Sequence, residues 1–203
     1  MKTASWICAG LAALASPAHA DDSHLATGVG AGVTLGGGLA GFADDGMRDV
    51  TSAVGGLWDL RIALGTHTPL GVELGYTGTA SQVETFTGAD NGTLVGSTVE
   101  AAVRLTVLPR AAWTPYVFAG IGWQHYDLVD ASFATADTGM SDGDDVLDVP
   151  AGAGLAYRHP SGLLVDVRGT FRVAAFSDLL IEPDGDDAPL HSWQASAAIG
   201  YEL

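Results

Sequence analysis

Five arginines and six carboxylates stand in the middle of apolar segments: Arg61, Arg104, Arg158, Arg168 and Arg172, with Asp59, Glu73, Glu100, Asp148, Asp166 and Glu202. A charge flanked by Val, Leu and Ile either reaches water or pairs with an opposite charge. The nearly equal numbers of the two signs suggest pairing, as an internal ion-pair lattice. Two other groups, Asp142-Gly143-Asp144-Asp145 and Asp184-Gly185-Asp186-Asp187, repeat a D-G-D-D pattern. Clustered carboxylates of this kind are oxygen donors for calcium or another hard divalent cation; the competing reading is a solvated, self-repelling acidic loop. His159-Pro160-Ser161 puts an imidazole near a hydroxyl, the pairing that base-activated nucleophiles use. The six histidines are scattered, with no H-E-x-x-H or H-x-H spacing, so zinc has no support. Gly28-Val29-Gly30-Ala31-Gly32 superficially looks like a dinucleotide loop, but no helix pattern follows it. No cofactor is expected.

The elements that must position these residues are β-strands. In the last segment Trp193, Ala195, Ala197, Ile199, Tyr201 and Leu203 share one face, while Ser192, Gln194, Ser196 and Glu202 share the other. The same period of two sets Trp58, Leu60, Ile62 and Leu64 against Asp59 and Arg61, and Val72, Leu74 and Tyr76 against Glu73. It sets Val99, Val103 and Leu105 against Glu100 and Arg104, and Val165, Val167 and Val173 against Asp166, Arg168 and Arg172. With the segments around Val33, Ile121 and Leu155, eight strands are expected. Three connections are short and rich in turn residues: Gly65 to Pro69, Pro109 to Pro115, and His159 to Gly162. Four are long, at 37–50, 78–93, 127–145 and 177–190, and they hold most of the acidic residues, opposed only by Arg48.

Composition limits the partners. The 203 residues carry 24 acidic and 8 basic side chains, a formal net charge of −16. Nucleic acid is excluded as a partner, because phosphate binding begins with basic side chains. Residues 1–20 read as a secretory leader: Lys2 supplies the positive charge, Trp6 to Ala15 the short apolar core, and Ala18-His19-Ala20 an A-x-A cleavage site. That leaves residues 21–203 as one barrel domain. The leader contains the only cysteine, Cys8, and the only lysine, so the remaining chain has no disulfide and relies on arginine alone for positive charge.

Period-two alternation fits two kinds of eight-stranded barrel. A soluble lipocalin-like barrel turns its apolar face inward, whereas a membrane-spanning barrel turns it toward lipid and its charged face toward the lumen. Three features favour the membrane. Arginine and carboxylate occur together at mid-strand, where a soluble surface would usually carry lysine. Gly28, Gly30, Gly32, Gly120, Gly122, Gly152 and Gly154 share the charged face and leave room for long side chains in a narrow lumen. Aromatics lie toward the strand ends on the apolar face, Tyr76, Trp123 and Trp193 at one rim and Tyr157 and Tyr201 at the other, as an interfacial girdle requires.

On these residues the chain resembles the small outer-membrane β-barrels of the OmpA-, OmpX- and OmpW-like group, over all of Asp21 to Leu203. In that group the last strand ends in alternate apolar residues and a terminal aromatic, a signal read by the barrel assembly machinery. Ala195, Ala197, Ile199 and Tyr201 match it, and Leu203 stands where the aromatic would be. Thr114-Pro115-Tyr116-Val117-Phe118-Ala119-Gly120-Ile121-Gly122 is similar to the opening of the group's fifth strand. The resemblance implies an antiparallel, up-and-down transmembrane barrel with periplasmic short turns, extracellular acidic loops and no peptidoglycan-binding domain. Its partners would be outer-membrane lipid and lipopolysaccharide, with divalent cations bridging the loops. The leading role on this reading is structural or surface interaction around a plugged lumen. A narrow pore is the alternative, and a lipid A-modifying enzyme the third reading. His159 and Ser161 have the spacing of the lipid A deacylases but fall in a periplasmic turn, away from the outer leaflet where that chemistry takes place, so enzymatic activity is not expected.

Overall fold

The computed structural model describes residues 28–43, 54–84, 91–129, 143–176 and 191–203. The expected leader, 1–20, and the carboxylates Asp142, Asp184, Asp186 and Asp187 lie outside these residues, as does the side chain of Asp144. The described chain forms eight strands: β1 (Ala31–Phe42), β2 (Gly55–Leu64), β3 (Leu70–Glu84), β4 (Asn91–Thr106), β5 (Trp113–Val129), β6 (Gly143–Arg158), β7 (Leu163–Phe176) and β8 (Ser192–Glu202). Each pairs antiparallel with its neighbour in sequence, and β1 closes on β8 with Gly32 opposite Glu202 and Ala40 opposite Gln194. Closure leaves no unpaired sheet edge, a condition for strands that cross lipid.

The alternation holds on both faces. Ile62, Leu74, Val103, Ile121, Val167 and Ile199 are exposed outward, while Asp59, Arg61, Glu73, Glu100, Arg104, Asp148, Asp166, Arg168 and Arg172 are buried inside. On β5 the outward aromatics Trp113 and Trp123 bracket the apolar band. At about 3.3 Å per residue and a tilt near 40°, that stretch spans about 25 Å, the height of an apolar barrel belt.

The strands run further than alternation alone suggests. β1 continues to Phe42, β3 to Glu84 and β5 to Val129, while β4 begins at Asn91 and β6 at Gly143, all inside segments read above as loops. Large apolar residues alternate only where one face meets lipid, whereas the backbone ladder continues past that band, with Gly78, Ala80 and Gln82 of β3 still paired to β4. The short connections also shift: β5 starts at Trp113, so Pro115 lies in the strand and the β4–β5 turn is 107–112. Gly28 and Gly30 precede β1, which starts at Ala31. Their φ angles of 100° and 65° are left-handed, and Gly30 O accepts the Gly65 N–H at 2.9 Å, joining the chain ahead of β1 to the β2–β3 turn.

Candidate functional site

The lumen is filled by side chains from all eight strands, with the charged ones at its centre on β2, β3, β4, β6 and β7. Arg61 donates through Nε to Asp59 Oδ1 and through Nη1 to Asp166 Oδ1, both at 2.7 Å. Arg104 Nη1 donates to Glu73 Oε1 at 3.0 Å, and Arg168 Nη2 donates to Glu73 Oε2. Arg172 Nη2 donates to Glu100 Oε2 at 2.6 Å and Nη1 to Asp148 Oδ2 at 2.9 Å. In the closed ring β7 stands opposite β3, so the Arg168–Glu73 pair crosses the full diameter. The glycines make room for these groups. A Cβ on Gly75 would sit 2.8 Å from Glu100 Cγ, and one on Gly122 would collide with the Asp148 carboxylate.

Two aromatics complete the lattice, and alternation did not single them out as site residues. The Arg104 guanidinium lies 3.5 Å above the Tyr116 ring, and that of Arg168 lies 3.8 Å above Phe118. The Tyr116 hydroxyl donates to Asp166 Oδ2 at 2.7 Å. Together with Ala102, Ala156 and Leu164 these rings form a small apolar cluster inside the barrel. The available signal was their even-number parity with Gln124 on β5, which places Tyr116 and Phe118 on the inner face.

Arg158 and Glu202 join the lattice only at its edge. Arg158 donates to the backbone oxygens of Thr66 and Pro109, and its Nε lies 3.2 Å from Glu202 Oε1. Glu202 also meets His67 Nε2 at 3.1 Å. This group ties two short turns to the last strand. Between the buried ion pairs the space is small. One cavity beside Arg61 and Arg104 and another beside Asp59 and Glu100 hold about 10 Å³ each, and a third under the long-loop mouth holds about 20 Å³. Each is of the order that admits a single water.

The outer face carries the remaining expected residues. Tyr76, Trp123 and Tyr201 are exposed, whereas Tyr157 and Trp193 are half-buried. Trp58 and Trp113 belong with them: Trp58 packs on Tyr76 with ring centres 5.2 Å apart, and Trp113 packs on Tyr157 at 4.8 Å. Ala195, Ala197, Ile199 and Tyr201 point outward along β8, and Leu203 follows with its N–H donated to Ala31 O at 2.7 Å.

Asp145 is the one D-G-D-D carboxylate whose side chain is described, and it is engaged. Beyond Trp123, outside the apolar band, His125 Nδ1 lies 2.7 Å from Asp145 Oδ1, and its Nε2 lies 3.3 Å from Asp127. The hydrogen bond to Asp145 raises the His125 pKa above the usual histidine value. Among the described residues no three His, Cys, Asp or Glu side chains converge on a metal position. His159 Nδ1 is 2.8 Å from Ser161 Oγ, but both are exposed in the β6–β7 turn, and among the described residues no carboxylate bonds the imidazole to orient it as a base.

Comparison with known proteins places this geometry. The chain is similar in fold to Ail, the attachment invasion locus protein of Yersinia pestis, solved with the heparin analogue sucrose octasulfate: 15% identity over 87% of this chain and 99% of that one, TM-score 0.55. It is similar to a major outer membrane protein from Thermus thermophilus, at 14% identity over 85% of this chain and 99% of that one, TM-score 0.52. The outer membrane protein OprG from Pseudomonas aeruginosa gives 13% identity over 87% and 97%, TM-score 0.50. No curated protein matches the sequence. Residues 6–200 match the outer membrane protein beta-barrel domain, so the chain belongs to that family and is an integral barrel of the outer membrane.

Proposed function

We propose that the protein is a plugged outer-membrane scaffold whose role is structural or surface interaction, exported by the leader at 1–20. The observation that carries this reading is the lattice itself. Arg168–Glu73 bridges the diameter, Arg172 holds Glu100 and Asp148 beside it, and the gaps between them are about the size of one water. An eight-stranded barrel has an interior just wide enough for such filling. The interaction surface is then the long-loop end, which on this reading faces out of the cell. Its acidic loops favour cationic partners, or divalent cations that bridge to lipopolysaccharide, over a polyanion of the kind bound by Ail. The outward residues of β8 from Ala195 to Leu203 serve as the signal for the barrel assembly machinery, and the aromatics at both rims anchor the barrel between the headgroup layers.

The test is conductance in a planar bilayer, with the barrel first shown to be folded by a gel mobility that shifts on boiling. A folded, silent barrel is expected. Discrete and reproducible current steps would move the function to a narrow pore.

A further inference from the structure

The guanidinium groups nearest the short turns have more donors than the carboxylates accept. Arg104 donates to Glu73 through Nη1 alone, and its Nε and Nη2 have no hydrogen-bond partner in the protein; the same holds for Arg61 Nη2 and the Thr66 hydroxyl. These residues are 6%, 5% and 3% exposed respectively. All three line one cavity of about 10 Å³. The carboxylates on the same wall are occupied, since Glu73 accepts from both Arg104 and Arg168, and Asp166 accepts from both Arg61 and Tyr116. Burying several N–H groups without acceptors is costly, because each has left water for nothing.

The charges on the wall lean the same way. The ionic side chains lining the cavity are Arg61, Arg104 and Arg158 against Glu73 and Asp166, while Asp59 holds Arg61 through Nε from outside the lining and Glu202 lies beside Arg158. A water could accept from only part of this donor set, whereas a monatomic anion can accept from several N–H groups at once. We propose that this cavity is a buried monovalent-anion site, sized for chloride and closed to larger oxyanions, which completes the lattice at its short-turn end.

The experiment is thermal unfolding of the folded barrel in detergent, in sodium chloride, bromide or gluconate at matched ionic strength, with crystals grown in bromide examined for anomalous scattering. Chloride and bromide should raise the midpoint by a few degrees along a saturating curve that gluconate does not produce, and bromide should give an anomalous peak between Arg61, Arg104 and Thr66. Arg104→Gln should abolish the response. Thr66→Val, which keeps the size of the side chain, should weaken the apparent halide affinity several-fold and serves if Arg104→Gln does not fold. Equal midpoints in all three salts with no peak in the cavity would overturn the site, as would a halide response unchanged in the folded variants.

Discussion

Along β7, Asp166, Arg168 and Arg172 face the lumen while Val165, Val167 and Val173 face lipid, and the two sets answer to different constraints. The inner residues are specific. Arg172 is 2% exposed and held by Glu100 from β4 and Asp148 from β6, so its identity depends on two other strands. The outer residues are interchangeable in chemistry, since any side chain that is apolar at that height satisfies the bilayer. One strand therefore carries a pairwise code on one face and a solvent code on the other. Most of the barrel's sensitivity to single changes should lie inside, and most of its tolerance outside, provided polarity is kept.

The sharpest way to break this comparison is Arg172→Ala. It strands Glu100 and Asp148 in the lumen, and losing one partner of a buried ion pair costs about 3–5 kcal/mol. Arg104→Ala should cost less, because Glu73 keeps Arg168. Arg110→Ala, on the exposed β4–β5 turn, should change stability by no more than about 0.5 kcal/mol. Equilibrium unfolding in urea from detergent or lipid measures all three, and equal losses would show that the lattice is not what distinguishes them. The next largest effect tests the outer face. Val117→Arg puts a charge near mid-membrane and should cost about 2–4 kcal/mol, whereas Val117→Leu should be close to neutral.

The smallest expected effect lies outside both faces of the membrane band. Because Asp145 raises the His125 pKa, the imidazolium contributes stability fully below the unfolded histidine value of about 6.5, and loses it as pH rises through the folded value. His125→Gln should flatten that part of the pH profile. The change in midpoint should be small, because the pair is solvent-exposed and screened. A wild-type profile that rose with pH across the same window would contradict the contact.

The fold was largely legible because its signal is local. Alternation from Asp59 to Leu64 or from Trp193 to Tyr201 depends only on which medium each face meets, and the short turns at 65–69 and 159–162 carry their own turn residues. The strand ends beyond the apolar band were not legible, since on β3 the outward positions Gly78, Ala80 and Gln82 carry no large apolar side chain although the ladder to β4 continues through them. The site was legible in part. Parity placed the charged residues inside, but not who pairs with whom: Arg61 and Asp166 are 105 positions apart, and nothing near either one names the other.

By itself the sequence determined which residues share a face, because a period of two is set by backbone geometry residue by residue, and its mid-strand arginines and carboxylates, glycines and rim aromatics chose which face meets lipid. Only the tertiary structure decided that Arg168 would reach Glu73 across the barrel, that Tyr116 and Phe118 would lie under guanidinium groups, and that Arg104 would keep donors with no protein partner. Those facts depend on strand register and ring closure, which bring opposite walls within side-chain reach only after every strand is in place.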